Sequence, residues 1–150
     1  MEQNKSELIA LCHAWLDKRL DGLKQAQSAV DESLQGAVKS SAGDKHNTER
    51  AHLQLQAEKL GQQFKAIDQQ RLALSKIQSS VATGKVHLGS LVETDQQRYF
   101  IAIAAGAIQF KGNQIWAIAP QSPIGQLLLG KSVGESIVWA GKSQQIIKIY

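Results

Sequence analysis

The segment AGDKHNTER, residues 42–50, brings acidic, basic and imidazole side chains together between two long helical patterns. Asp44 and Glu49 carry its two carboxylates. Carboxylate oxygens suit a hard cation such as Mg²⁺, which proteins usually bind through few carboxylates together with waters and substrate phosphates. Two carboxylates make an incomplete site, so the remaining ligands would have to come from a partner.

The same residues also have a purely structural interpretation. Gly43 can stop the first helix, and Asp44 or Asn47 can cap the second. Glu49 would then lie in the first turn of the second helix, where the helix dipole favours an acid. This interpretation explains most of the segment, but it does not explain why such long helices flank it.

A zinc site in this segment is a weaker hypothesis. The candidate ligands are His46, Glu49 and His52, and the last two share a helix face at a spacing of three. A site between two helices needs matching ligands from the opposite helix. The facing segment, residues 39–41, reads KSS, so the sequence does not favour zinc.

Two long amphipathic patterns flank the segment. Apolar residues recur at three-four spacing over residues 5–39, and a near-heptad series runs from Leu53 to Ile77. Each pattern has a single apolar stripe and the connection is short, so the helices must pair antiparallel as a coiled-coil hairpin. Arms of about 35 residues extend roughly 50 Å. The sequence therefore predicts a protruding rod with the acids at its tip.

The period of the pattern changes from 3.6 to 2 after the small-residue linker SSVATGK, residues 79–85. Ser122, Pro123 and Gly130 predict a short helix, as cap, first residue and stop. The predicted strands are Val86–Thr94, Tyr99–Ala104, Ala107–Phe110, Gln114–Ala119, Glu135–Trp139 and Gln144–Ile149. The predicted fold is α+β, with a helical hairpin over residues 1–80 and a small, mostly antiparallel β domain with one short helix over residues 81–150.

Composition narrows the function classes. The formal charge is +4, and residues 81–150 carry six Lys/Arg against three Asp/Glu. No basic run marks a phosphate-binding stripe, so charge alone does not argue for nucleic-acid binding. Phosphate loops, nucleophile elbows and cysteine clusters are absent from the sequence. An autonomous enzyme is therefore not expected.

Cys12 is the single cysteine, and its place on the apolar side of the first helix predicts a buried, unreactive thiol. The N-terminal residues lack the pattern of a signal peptide. The longest apolar stretch, YFIAIAAGAI at residues 99–108, is too short to span a bilayer as a helix. We therefore expect a cytoplasmic protein that does not associate with membranes.

The run SPIGQLLLGKSVGES, residues 122–136, resembles the C-terminal region of the Gre family of bacterial transcript-cleavage factors. The closing strand QQIIKIY, residues 144–150, fits the same resemblance, as does the order of a helical hairpin before a small sheet domain. In the hairpin, Gly43 and Asp44 match the family's tip. The resemblance covers essentially the whole chain and is strongest over about the last 65 residues.

The resemblance implies an FKBP-like second domain without prolyl isomerase activity. It implies a regulator that binds RNA polymerase, inserts the hairpin into the secondary channel and there reaches nascent RNA indirectly. Asp44, and with it Glu49, would help to hold a Mg²⁺ shared with the polymerase active site, while the chain has no cofactor of its own. The residues that we expect to bind the partner are Ser122, Pro123, Gly125, Gly130 and Lys131.

One position departs from the family's tip pattern, Asp-x-x-Glu. Asn47 stands three residues after Asp44, and Glu49 stands five residues after it. On a continuous helix a spacing of five separates two side chains by roughly 140°. Stimulation of RNA cleavage would then be weak, which favours a regulator that occupies the channel without cleaving.

A different class of function is also compatible with the sequence. The chain could be a structural coiled-coil interaction protein that dimerises through its seam, with the sheet as a peptide-binding module. A hairpin that pairs within one chain predicts a monomer, whereas a scaffold predicts a dimer.

Overall fold

The computed structural model describes the backbone of residues 2–39, 43–77 and 83–150, and the side chains of residues 5–36, 47–77 and 83–150. The chain begins with two long helices, α1 (Glu2–Lys39) and α2 (Gly43–Ile77). Six strands and one short helix follow. The predicted fold class, a helical hairpin before a small sheet domain, is confirmed.

One compact unit of the structure comprises Leu16–Gln69, the middle of the two helices. Leu16, Leu23 and Ile67 are its buried apolar residues. Nearer the connection the seam is half-buried at Val30, Leu34, Leu53, Ala57 and Leu60. The predicted three-four pattern is thus the buried stripe, and its side chains are less protected towards the end of α1 and the beginning of α2.

The other compact unit comprises Met1–Trp15 and Gln70–Tyr150. Its helical part buries Leu8 and Cys12 from α1 with Leu74 from α2. Arg71 Nη1 donates a hydrogen bond to His13 Nδ1 at 3.0 Å. Apolar burial and this polar link both join the start of α1 to the end of α2, as an antiparallel pairing requires.

Burial controls the chemistry of Cys12. The side chain is fully buried, and desolvation raises the pKa of its thiol from 9.0 to about 11. At pH 8 the reactive thiolate is then on the order of 100-fold scarcer than in a peptide. We expect iodoacetamide to label the folded protein at least about 100-fold more slowly than a cysteine peptide, and labelling at the peptide's rate would contradict this assignment.

The same shift makes stability depend on pH. The unfolded thiol releases its proton near 9.0, whereas the folded thiol retains it to about 11. Between these values the unfolded state binds fewer protons, so the free energy of unfolding falls as pH rises. Urea unfolding at pH 8 and pH 10.5 should show this loss, and the loss should be smaller in Cys12→Ala.

The sheet domain contains six strands in the order β3-β4-β2-β1-β6-β5. Its elements are β1 (Leu91–Thr94), β2 (Arg98–Ile101), β3 (Gly106–Phe110), β4 (Asn113–Ile118), α3 (Pro123–Leu128), β5 (Ser136–Trp139) and β6 (Lys142–Ile149). The sheet is mixed, because β2 and β4 pair in parallel while the other pairs are antiparallel. The sheet is therefore mostly antiparallel, as predicted, and the one parallel pair arises because the hairpin β3–β4 places β4 beside β2.

The first predicted strand is too long. Residues 86–90 form a turn rather than the start of β1, and Gly89 has a positive φ of 95°. Ser90 Oγ accepts a hydrogen bond from the His87 backbone N–H at 2.9 Å. This side chain satisfies a backbone group that a strand would have paired, so the alternation of residue types was misleading here.

Two tight turns fix the hairpins of the sheet. Lys111 and Gly112 connect β3 to β4, and Ala140 and Gly141 connect β5 to β6. All four residues have positive φ values, between 49° and 78°. Two successive left-handed residues suit the twist of a two-residue β-hairpin.

The core of the sheet domain draws on most strands and on α3. Its buried members are Val86, Val92, Tyr99, Ile101, Ile124, Leu128, Ile137 and Ile146. The predicted boundary between residues 80 and 81 and most of the predicted linker lie outside the described residues, so this boundary stays a prediction, as does the likeness to FKBP domains. Within the described ranges, no helix is long and apolar enough to cross a membrane.

Candidate functional site

The predicted tip site falls at the beginning of α2. The helix begins at Gly43, so this residue opens α2 and does not stop α1. Asn47 is inside the helix rather than its cap, and Glu49 lies beyond the first turn. The structural interpretation of these three residues was therefore wrong, because α2 begins earlier than their residue types suggest.

The helix does not bring the two predicted carboxylate positions together. α2 is continuous through Asp44 and Glu49, so their Cα atoms are separated by roughly 140° about its axis. Glu49 and Asn47 are exposed, while the side chain of Asp44 lies outside the described residues, as does that of His46. Among the described side chains no group of three or more His, Cys, Asp or Glu is placed to hold a metal.

The predicted docking run begins with a closely packed helix start. Ser122 caps α3, and its Oγ accepts a hydrogen bond from the Gly125 N–H at 3.1 Å and donates one to the Ala119 carbonyl at 2.7 Å. Pro123 is the first residue of α3, as predicted. Gly125 is buried where a Cβ would meet the carbonyl oxygens of Ala119 and Pro120. Glycine is therefore required at this position.

The residues after α3 are fixed by backbone hydrogen bonds. Gly130 has a positive φ of 79° and donates to the Val86 carbonyl at 2.8 Å. The Val86 N–H in turn donates to the Lys131 carbonyl at 2.9 Å. Ser132 N–H donates to the Glu135 carboxylate at 2.7 Å. The glycine positions of the run thus serve close packing and chain reversal, and they hold the intervening side chains in place.

Two apolar residues of the run do not lie where the pattern suggested. The apolar residue types of the run predict that Ile124, Leu127, Leu128 and Val133 pack into the core. Ile124 and Leu128 are buried, whereas Leu127 is 38% exposed and Val133 is 56% exposed. A helix this short buries one face, which the spacing of four between Ile124 and Leu128 defines. Leu127 shares the face of Ile124 by its spacing of three but is left partly uncovered, and Val133 lies beyond the helix.

Sequence reasoning therefore missed the exposed apolar side chains of the run, which are Leu127, Leu129 and Val133. Spacings of three and four from Ile124 place Leu127 and Leu128 on one helix face, so helical spacing does not predict that Leu127 is exposed. No sequence signal separates an exposed Leu129 or Val133 from a buried one, because the local backbone turns decide which way these side chains face.

Comparison with known proteins adds three solved structures. No protein-family model and no curated protein matches the chain. It is similar to GreA factor homolog 1 (Gfh1) of Thermus thermophilus at 20% identity, with 90% of this chain and 92% of that chain covered and a TM-score of 0.34. Gfh1 of Thermus aquaticus gives 21% identity, coverages of 92% and 93%, and a TM-score of 0.34.

A further structure of the transcription factor Gfh1 gives 19% identity, 90% coverage of each chain and a TM-score of 0.36. Similarity at this level says nothing about what the chain binds or does. The candidate sites therefore depend on this chain's own residues.

Proposed function

We propose that the chain is a Gre-like transcription regulator that binds bacterial RNA polymerase and inserts its hairpin tip into the secondary channel. It acts as a cytoplasmic monomer, carries no cofactor of its own, and contacts nascent RNA indirectly. At most it stimulates the polymerase's own RNA cleavage. The Mg²⁺ that Asp44 and Glu49 approach belongs to the polymerase active site.

The observation that carries the proposal is the construction of residues 122–133. This run, which resembles the Gre family in sequence, uses Ser122 and Gly125 to build a rigid turn, and it leaves Leu127 and Val133 exposed. Burying exposed apolar surface at a preformed site favours association without a large ordering cost. We assign the run, with Pro123, Gly130 and Lys131, to the polymerase-binding surface.

The tip supports occupancy of the channel more than cleavage. A Mg²⁺ that activates water needs anionic ligands held in near-octahedral geometry. Asn47 offers a neutral amide one turn from Asp44, while Glu49 follows on another side of the continuous helix. We infer that the native chain regulates polymerase mainly by filling the channel.

Binding to purified bacterial core RNA polymerase tests the proposal directly. We expect a labelled full-length chain to form a saturable complex whose affinity falls with salt, mainly through a slower on-rate. Val133→Ser should weaken the complex about tenfold, because it removes an exposed apolar contact. Val138→Ser is the matched control, since Val138 is 65% exposed in the same domain but outside the run.

Absence of a complex at low salt would overturn the proposal. If the two valine substitutions weakened the complex equally, polymerase binding would stand, but residues 122–133 would not be the docking surface. Sedimentation of the free chain supplies the other control, because a stable dimer would favour the coiled-coil scaffold.

A further inference from the structure

A cleft of about 470 Å³ opens on the sheet domain, and Ile124 is the residue of the docking run that lines it. Trp116 on β4 and Trp139 on β5 line it, and both indoles are partly exposed. Tyr99 on β2 and Gln144 on β6 are buried residues that also line the cleft. Side chains from four strands therefore converge on one concave surface, as ligand sites require.

Gln144 is a buried polar residue of the cleft lining. Its side chain is 5% exposed, and its Oε1 accepts hydrogen bonds from Tyr99 Oη at 3.0 Å and Thr94 Oγ1 at 2.9 Å. Among the described residues none accepts a hydrogen bond from Gln144 Nε2, so this NH₂ group is available to an acceptor in the cleft. Gln144 Nε2 is not one of the fully buried atoms without a partner, so a ligand acceptor in the cleft can replace the water that this group meets.

The hydrogen bonds around Gln144 also fix its orientation. Burial raises the pKa of the Tyr99 phenol, with the Gln144 hydrogen bond acting in the opposite direction. The phenol therefore stays protonated at neutral pH and remains a donor. Thr94 Oγ1 already accepts hydrogen bonds from the Gln96 and Gln97 N–H groups at 3.1 and 2.9 Å. With both of its lone pairs used, Thr94 can only donate to the amide, so Oε1 rather than Nε2 faces it. The Nε2 group is thus preorganised as a donor.

The lining indicates which ligand chemistry fits. The two indoles, Tyr99 and Ile118 give flat apolar walls, and Lys142 adds one cation. The described lining contains no Asp or Glu. Such a cleft suits an apolar group next to a hydrogen-bond acceptor and a carboxylate. A nucleic-acid strand fits less well, because tracking its backbone needs several cations along a groove.

We propose that this cleft binds an extended peptide segment of a partner protein. An aliphatic side chain packs against Trp116 and Trp139, its neighbouring backbone carbonyl accepts a hydrogen bond from Gln144 Nε2, and an adjacent acidic residue approaches Lys142. The site is independent of the proposed polymerase binding, because its test uses no polymerase and the docking run contributes only Ile124 to the described lining.

Titration of the ¹⁵N-labelled full-length chain with short capped peptides tests the site. The first probe is Gly-Glu-Leu-Ala-Glu-Gly, and we expect saturable shifts of the indole N–H signals of Trp116 and Trp139. Trp15 on α1 is the internal reference and should not shift. Replacing the leucine of the peptide by serine should weaken binding at least about tenfold, because the buried apolar group is lost. Replacing both glutamates by lysine should weaken it about threefold or more.

Variants of the chain locate the site. Trp139→Ala should weaken binding about tenfold, and Val138→Ala is the matched control because neighbouring strand residues face opposite sides. Gln144→Glu keeps an acceptor for Tyr99 and Thr94 but removes the amide donor, so binding should also weaken. The ¹⁵N spectrum of each variant reports that the sheet domain remains folded.

Several results would overturn the proposal. One is the absence of saturable indole shifts at millimolar peptide, and another is equal binding of the leucine and serine peptides. If Trp139→Ala bound the peptide as tightly as the native chain, the peptide would not bind in the cleft. Shifts that follow protein concentration alone would assign the cleft to a second copy of the chain. Shifts with a short oligouridylate but not with peptide would assign it to nucleic acid.

Discussion

Replacing Gly125 with alanine is expected to lower the free energy of unfolding by about 3 kcal/mol. The added Cβ would lie 2.8 Å from the Pro120 carbonyl oxygen and even closer to that of Ala119. Both neighbours are backbone atoms that cannot rotate away. Either α3 must shift or the connection from β4 must open, and each change disturbs the buried contacts of Ile124 and Leu128.

Urea unfolding followed by tryptophan fluorescence measures this effect, since two of the three tryptophans lie in the sheet domain. Gly61→Ala is the matched control. Gly61 is inside α2, and nothing lies within 4 Å of an added Cβ. The same substitution should there stabilise the protein by about 0.5–1 kcal/mol, because alanine favours helix more than glycine. Wild-type stability of the Gly125→Ala variant would contradict the close packing described for α3.

Replacing Asn47 with glutamate is expected to raise cleavage of backtracked RNA by polymerase at least about tenfold above the native chain. The expectation rests on the proposed function. On continuous α2, positions 44 and 47 are neighbours about one turn apart, with Cβ atoms roughly 5–6 Å from each other. Two carboxylates at that spacing can bind one Mg²⁺ together, which a carboxylate and an amide do less well. Asn47 is exposed, so the fold should tolerate the change.

Stalled, backtracked elongation complexes supply the assay. Gln54→Glu adds the same charge at an exposed position farther along α2 and should leave cleavage unchanged. Adding Asp44→Ala to Asn47→Glu should abolish the gain while polymerase binding remains. A gain that persists without Asp44, or that Gln54→Glu reproduces, would show that the two tip positions do not act as a pair.

The sequence alone determined the elements of this protein. Long three-four periodicity can be satisfied only by helices, and a single apolar stripe on each requires a partner, so the hairpin followed from the pattern. The start and end of α3 were also predictable, because Ser122, Pro123 and Gly130 each meet a local backbone requirement. Local signals are reliable where a residue's own geometry or hydrogen bonding decides the conformation.

Only the tertiary structure decided the parallel pairing of β2 with β4 and the turn at residues 86–90. Alternating residue types do not specify which strand lies beside which, because that choice depends on contacts between residues far apart in sequence. The true beginning of α2 was hidden for a related reason. Gly43 and Asn47 favour helix ends, yet the continuing helix outweighs their individual preferences.

The candidate sites divide in the same way. The sequence alone was enough to select Asp44, Glu49 and the run 122–136 as candidates, since charge, glycine spacing and resemblance can all be read from the order of residues. The cleft was not visible, because Trp116 and Gln144 come from strands separated by β1 and β2 in the sheet order. Packing also decided that Leu127 and Val133 face solvent while Leu128 is buried. Exposure of an apolar side chain depends on what the rest of the chain leaves uncovered, and no local pattern contains that information.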